Sequence, residues 1–320
     1  MTAPDVLEAL GVGALTLARG DWRLRDDRPA DVVERVQRGR PVRGGPAWRT
    51  VRTHADRVWQ AAIEAGRPIY GRPPEPPGLL RLVAWQQTGH RLALQVQPTW
   101  FWSLLGSNVA IERAGGPAAT LAALEQSDPR AIAGSLLCNA LTVNLAVIFT
   151  GDDPPLLLIQ LRGAVARRGA ERYQVSAAGF VDRADHQRDG RLPSPWRAAV
   201  REAHEETGIE VEAAQIRFLS LCRSTGTYLP GFCGLVELPE EAAGRAFHAG
   251  HDGFEVGGYE LWPFQPEPIF RRVIAEGGWQ SFVPLGGAAV VAALCDRYGD
   301  QAVLRAWNAT ARPSSMPVAE

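Results

Sequence analysis

An α/β fold is predicted by three features of the sequence. Apolar, β-branched runs recur through the second half of the chain, at Leu141–Phe149, Leu156–Leu161, Ile216–Cys222 and Gly231–Glu237. One sharply bounded helix, over residues 195–207, lies among them. Apolar residues make up 46% and charged residues 22% of the 320, a balance that excludes a wholly disordered chain.

At about 100–200 residues per domain, this length suggests two domains or one large domain with extensions. The pattern changes near residue 136, and three parts are expected: an N-terminal α+β region over 1–130, the main domain over 131–308, and a mobile tail over 309–320. Within the first part, Val32–Val36 and Val58–Ala65 read as helical. Arg72–Gly78 holds four prolines and reads as an extended connector, because the missing N–H groups exclude helix and central strand. Leu79–Trp85 and Arg91–Val96 flank Thr88-Gly89-His90 and predict a hairpin. Trp100 and Trp102 alternate with Phe101 in a cluster that could stack on a base, and a core role is the one expected. Pro117–Gln126 reads as a short helix.

In the main part, Leu141–Phe149 and Leu156–Leu161 are joined by Gly151-Asp152-Asp153-Pro154, which has turn chemistry, so together they predict a long buried hairpin. Tyr173–Ala177 is a third strand, and Ile216–Cys222, Gly231–Glu237 and Tyr259–Phe264 are further ones. Ala288–Arg297 reads as a closing helix.

Charge and cysteine usage exclude several classes of function. The 34 basic and 35 acidic side chains give a net charge of −1, so no nucleic-acid partner is expected. Every basic residue is Arg, which excludes a Schiff-base lysine and a P-loop lysine. Cys138, Cys222, Cys233 and Cys295 form no C-x-x-C pair, against a zinc ribbon or a thioredoxin site. Met1–Arg19 lacks a basic leader, and no uncharged apolar run reaches the ~18 residues of a membrane span. A cytoplasmic protein with reduced thiols and no membrane partner is expected.

The helix after Ser194 carries the chemistry. Ser194 suits the N-cap, Pro195 the first helical position and Gly208 the left-handed residue that ends a helix. The intervening ~13 residues make a helix ~20 Å long. At 100° per residue, Trp196, Ala199, Val200, Ala203 and Thr207 share a stripe that can pack closely on a sheet. Glu202, Glu205 and Glu206 fall on another face at spacings i, i+3 and i+4, where like charges repel. Arg201, one turn before Glu205, offsets part of that charge, and a hard divalent cation, Mg²⁺ or Mn²⁺, would offset more.

The word Arg201-Glu202-Ala203-His204-Glu205-Glu206-Thr207-Gly208-Ile209 resembles the R-E-U-x-E-E-x-G-U core of the Nudix hydrolases, with Ala203 at the first apolar place. The full box begins with a Gly, five residues, a Glu and seven residues before the Arg. Counted back from Arg201, that Glu position falls on Pro193 and the Gly position on Gln187. Gly179, in Ala177-Ala-Gly-Phe-Val-Asp182, is taken as the box glycine. Thirteen residues then separate it from Pro193 instead of five, an insertion of eight, and the first box Glu is absent. The insert carries Asp182, Asp185, His186 and Asp189 and reads as a surface loop.

The resemblance implies an α/β/α sandwich around a mixed sheet and metal-dependent cleavage of a diphosphate linkage in a nucleoside diphosphate derivative. It implies Glu205 and Glu206 as main metal ligands, Glu202 as a further ligand or base, Arg201 as a carboxylate holder, and Gly179 as the point where backbone approaches the metal. Arg162 and Arg172 are candidate phosphate contacts, with Arg167 and Arg168 between them, and Glu255 and Glu260 are candidates for the general base on the substrate side of the site. His204 is expected at the surface. The partner is then a small-molecule diphosphate, and a homodimer is a further possibility the family allows. An alternative is a catalytically weak nucleotide-binding or sensor protein of the same fold, motivated by the insertion and the missing Glu.

Overall fold

The computed structural model describes residues 5–25, 28–29, 32–36, 53, 55–57, 60, 64, 78–109, 130–133, 135, 137–151, 153–163, 172–185, 194–243 and 256–311. Its centre is a nine-stranded mixed sheet. β6 (Thr142–Thr150) is apolar almost throughout because both of its faces are covered. It pairs in parallel with β11 (Pro230–Pro239) and antiparallel with β7 (Leu156–Arg162).

The β6–β7 pairing at Ile148–Leu157 and Phe149–Leu156 gives way to a split. Into it come β8 (Tyr173–Val175), paired with β7, and β9 (Ala177–Phe180), paired with β6. Ser176, between these two short strands, ties the split shut. Its hydroxyl donates to the Leu158 carbonyl and accepts the Val147 N–H at 2.8 Å. β12 (Val256–Pro263) closes one side of the sheet against β7. On the other side come β10 (Arg217–Ser224), β1 (Ala14–Arg25) and the short β2 (Arg28–Pro29).

Two layers flank the sheet. One contains α1 (Val6–Ala9), α2 (Phe101–Gly106), α4 (Pro266–Ala275), α5 (Pro284–Tyr298) and α6 (Asp300–Ala311), which bury Leu285, Val290, Phe270 and Trp279 with the sheet residues Ala146, Ile148 and Ile159. The other holds α3 (Pro195–Thr207) beside a three-stranded sheet of β3 (Val32–Val36), β5 (Arg91–Thr99) and β4 (Leu79–Thr88). Leu82, Leu92 and Val96 of the small sheet share a core with Trp22, Trp196 and Phe218. The expected α/β/α sandwich is therefore present, and strand β1 of the N-terminal region is an integral part of its main sheet.

Val32–Val36 is a strand, not the expected helix. It runs parallel to β5, from Val32–Leu92 to Val36–Val96. Three of its five residues are valines, whose branched side chains favour a strand over a helix when a sheet edge is on offer. The expected hairpin over 79–96 is β4–β5, turning at Gly89. Gln60 and Glu64 are helical and hydrogen-bonded to each other. The rest of 58–65, residues 72–77 and 117–126 lie outside the described residues. α6 reaches Ala311, so the first positions assigned to a tail are helical, and 312–320 lie outside the described residues. Trp100 and Trp102 are buried with Ala55. No helix among the described residues is long and apolar enough to cross a membrane.

Candidate active site

α3 is held by its apolar stripe. Trp196 is fully buried, packs edge-on against Phe218 at 5.0 Å and donates Nε1 to the Ile216 carbonyl. Ala198, Ala199 and Ala203 are fully buried too, which lets the helix lie close to β9 and β6. Pro195 and Gly208 end it as expected, Gly208 at φ 71°. Ser194 departs from expectation: its backbone has cap geometry, but its buried hydroxyl makes no hydrogen bond among the described residues.

This docking sets Glu202 against Gly179. A β-carbon built on Gly179 would lie 1.9 Å from Glu202 Oε1 and 2.0 Å from its Cδ, so any larger residue at this point of β9 would displace the Glu202 carboxylate. Glu206 is buried beside them, and its Oε2 accepts the Ala178 N–H at 2.7 Å. Arg201 organises the acids. Its Nη1 donates to Glu202 Oε1 at 2.7 Å and to Glu205 Oε2 at 3.0 Å, and its Nη2 donates to the Phe180 carbonyl at 3.0 Å. Burial pushes the Glu202 carboxyl up to about 7, while Arg201 pulls the other way.

The far side of Arg201 meets a residue assigned above to a surface loop. Asp185 is buried and takes Nε at 2.8 Å and Nη2 at 3.1 Å in a bidentate pair. It also accepts the Asp182 N–H at 2.7 Å. Counted forward, five residues separate Gly179 from Asp185, and the seven residues 194–200 precede Arg201. The Ser194 N–H donates to the Asp185 carbonyl at 3.0 Å. The eight extra residues are therefore 186–193, spliced between two hydrogen-bonded ends, and Asp185 occupies the acidic box position thought to be empty. The signal was available: an acid at the right distance from Gly179, on the other side of the insertion. Breaking a buried ion pair from one side is costly, so Asp185→Ala should lower the free energy of unfolding by about 3 kcal/mol in a urea titration. A loss under about 1 kcal/mol would contradict this role.

A cleft of about 400 Å³ opens over this cluster, lined by Gly179, Asp182, Arg201, Glu202 and Glu206. Arg162 and Arg172 line it as well, with Arg162 Nη1 bonded to Gln174 Oε1 at 2.9 Å. Glu205 is partly exposed and reaches the site through Arg201 rather than by lining the cleft. Glu260 is not brought to the cleft. Trp262 Nε1 and Arg272 Nη2 donate to its Oε2 at 2.8 and 3.0 Å, and the Tyr173 hydroxyl donates to its Oε1. It serves as a structural clamp between β12 and α4. His204 is exposed. Glu255, Arg167 and Arg168 lie outside the described residues.

The acids present hard oxygen donors, and a cation would relieve the burial of Glu202, so donor type and electrostatics fit a divalent metal. Among the described residues, no three acidic, His or Cys side chains converge closely enough to hold an ion as they stand. Arg201 bridges Glu202 and Glu205, so an ion would compete with it for both carboxylates.

A sandwich whose glycine-backed helix sets Glu202, Glu206 and Arg201 over a cleft, with Glu205 tied in through Arg201, defines a class of protein. Residues 140–246, about a third of the chain, match the NUDIX domain family. Among solved structures it is similar to a MutT/nudix family protein from Enterococcus faecalis (17% identity, 48% of this chain and 54% of that one, TM-score 0.31). It is also similar to DR0079 from Deinococcus radiodurans (24% identity, 49% and 82%, TM-score 0.34). A third is the NUDIX domain of Shewanella oneidensis NrtR complexed with ADP ribose (15% identity, 44% and 82%, TM-score 0.31). The chain spans about half the length of the first of these. No curated protein matches it significantly.

Proposed function

We propose that this protein is a Mg²⁺- or Mn²⁺-dependent hydrolase that cleaves a diphosphate linkage in a nucleoside diphosphate derivative or a related small molecule. The observation that carries the reading is the contact of Gly179 with Glu202 inside a cleft that also holds Arg201, Glu206, Arg162 and Arg172. Glu202, Glu205 and Glu206 are the residues that would hold the metal, with Gly179 leaving room for backbone beside it. When bound, the ion supplies charge neutralisation on the phosphate oxygens and a lowered pKa for water.

The chain's own residues do the rest. Arg201, gripped by Asp185 and Phe180, fixes the rotamers of Glu202 and Glu205. Glu202 lines the cleft wall and would either hold the metal or accept a proton from the attacking water. Arg162 and Arg172 supply cationic forks to phosphate oxygens beyond the acids. The cleft volume suits a ligand of small-molecule size.

The test is release of phosphate or phosphomonoester from a panel of nucleotide sugars, dinucleotides and nucleoside triphosphates, with Mg²⁺ or Mn²⁺ and with EDTA. Turnover of at least one compound, abolished by EDTA and restored by either metal, is expected. A second reading, a binding or sensor protein of the same fold, is favoured by the Arg201 bridge and the absence of a convergent three-acid cluster among the described residues. Tight nucleotide binding with no turnover at saturating metal would select it.

A further inference from the structure

The cleft is ordered along the sheet. Arg162 of β7, with Arg172 and Gln174 beside it, lines one end, and Gly179 with the α3 acids lines the middle. The other end lies over β6, the end of β10 and the β10–β11 turn, where Thr142, Asn144, Ser224, Thr227 and Leu229 contribute. Phe101 and Leu104 of α2 and Leu79 of β4 add a wall there from the N-terminal region. All of these last residues are uncharged, and the carboxylate beside them is Asp182, which is bridged to Leu79. Phe101 meets Phe180, the residue after Gly179, edge-on at 6.1 Å. Asn144 spends its Nδ2 on Thr142 Oγ1 and the Phe232 carbonyl, leaving its Oδ1 without a donor among the described residues.

The wall is fixed by buried polar contacts. Ser107, just after α2, donates to the Ser103 carbonyl at 2.7 Å and accepts the Cys138 N–H at 2.9 Å. Asn108 is fully buried. Its Nδ2 donates to the Thr227 carbonyl at 2.8 Å, and its Oδ1 accepts the Asn139 N–H at 3.0 Å. Arg223, also fully buried, binds Asn139 Oδ1 and the carbonyls of Ala131 and Tyr228. These bonds tie α2 to the β10–β11 turn, and of the side-chain amides in the network Asn139 Nδ2 alone has no partner among the described residues.

We propose that the N-terminal region supplies the specificity wall of the active-site cleft, and that Phe101 contacts a flat, uncharged group of the substrate, a nucleobase, while the phosphates lie over α3. This rests on the hydrolase reading for the position of the phosphates. An aromatic ring, apolar side chains and an unused amide oxygen suit a base with an N–H donor, whereas a second anionic group there would be desolvated and would meet the Asp182 carboxylate.

The experiment is calorimetric binding of ADP, UDP and inorganic pyrophosphate to the full chain and to Phe101→Ala, with Mg²⁺ present. Wild type should bind ADP or UDP more tightly than pyrophosphate. Phe101→Ala should weaken the nucleotide at least tenfold and leave pyrophosphate within twofold, which also shows that the variant is folded. Equal weakening of all three, or no weakening of the nucleotide, overturns the proposal. Wild type that binds pyrophosphate as tightly as the nucleotides overturns it too, yet leaves the hydrolase reading standing. If wild type binds none of the three, both fall.

Discussion

Gly179→Ala should cut turnover about a hundredfold while leaving a folded protein. The added methyl would sit 1.9 Å from Glu202 Oε1, far inside any allowed contact. Glu202 is the end of a side chain, so it can yield, but only by leaving Arg201 Nη1, which it meets at 2.7 Å. Overpacking of this kind costs about 1–3 kcal/mol of stability. The catalytic loss is larger, because a displacement of about 1 Å in a reacting group costs on the order of 10²-fold in rate. Steady-state kinetics beside a thermal melt separates the two effects. Unchanged kcat in this variant would mean that the Gly179–Glu202 approach has no part in the chemistry.

Much of this site is local and therefore legible in sequence. The helix ends at Pro195 and Gly208, its alanine-rich stripe and the glutamate spacing are set by 3.6-residue periodicity, and the structure repeats them. Strands β6, β7, β10 and β11 were readable because they are long, continuous and buried on both faces. β1 was not. Register shifts between Thr16 and Ala18 and between Arg19 and Trp22 break its alternation, so the N-terminal region reads as weakly periodic although one of its strands belongs to the main sheet.

Asp185 was misread because the count ran backward from Arg201 across the insertion, where spacing has no meaning. Glu260 illustrates the opposite problem. Beside Trp262 of its own strand, it is held by Tyr173 of β8 and Arg272 of α4, and such non-local neighbours leave no mark on the local sequence. The same holds for Phe101 and Leu104, which line the cleft only because Ser107 and Asn108 dock their helix on distant loops.

The central claim is that Glu202, beside Gly179, acts directly on a diphosphate ester. Glu202→Gln is nearly isosteric and keeps an oxygen for Arg201, but it removes the negative charge and the proton-accepting carboxylate. Burial already disfavours that charge, with the carboxyl raised to about 7, so the neutral amide should leave the melting temperature close to wild type. Loss of a positioned acid or base costs about 10²–10⁴-fold in rate. The decisive measurement is phosphate release by wild type and Glu202→Gln under saturating Mg²⁺, on whichever compound wild type cleaves best. A fall in kcat of at least a hundredfold, with an unchanged melt, is the predicted result. Turnover within twofold of wild type would contradict the assignment of the site.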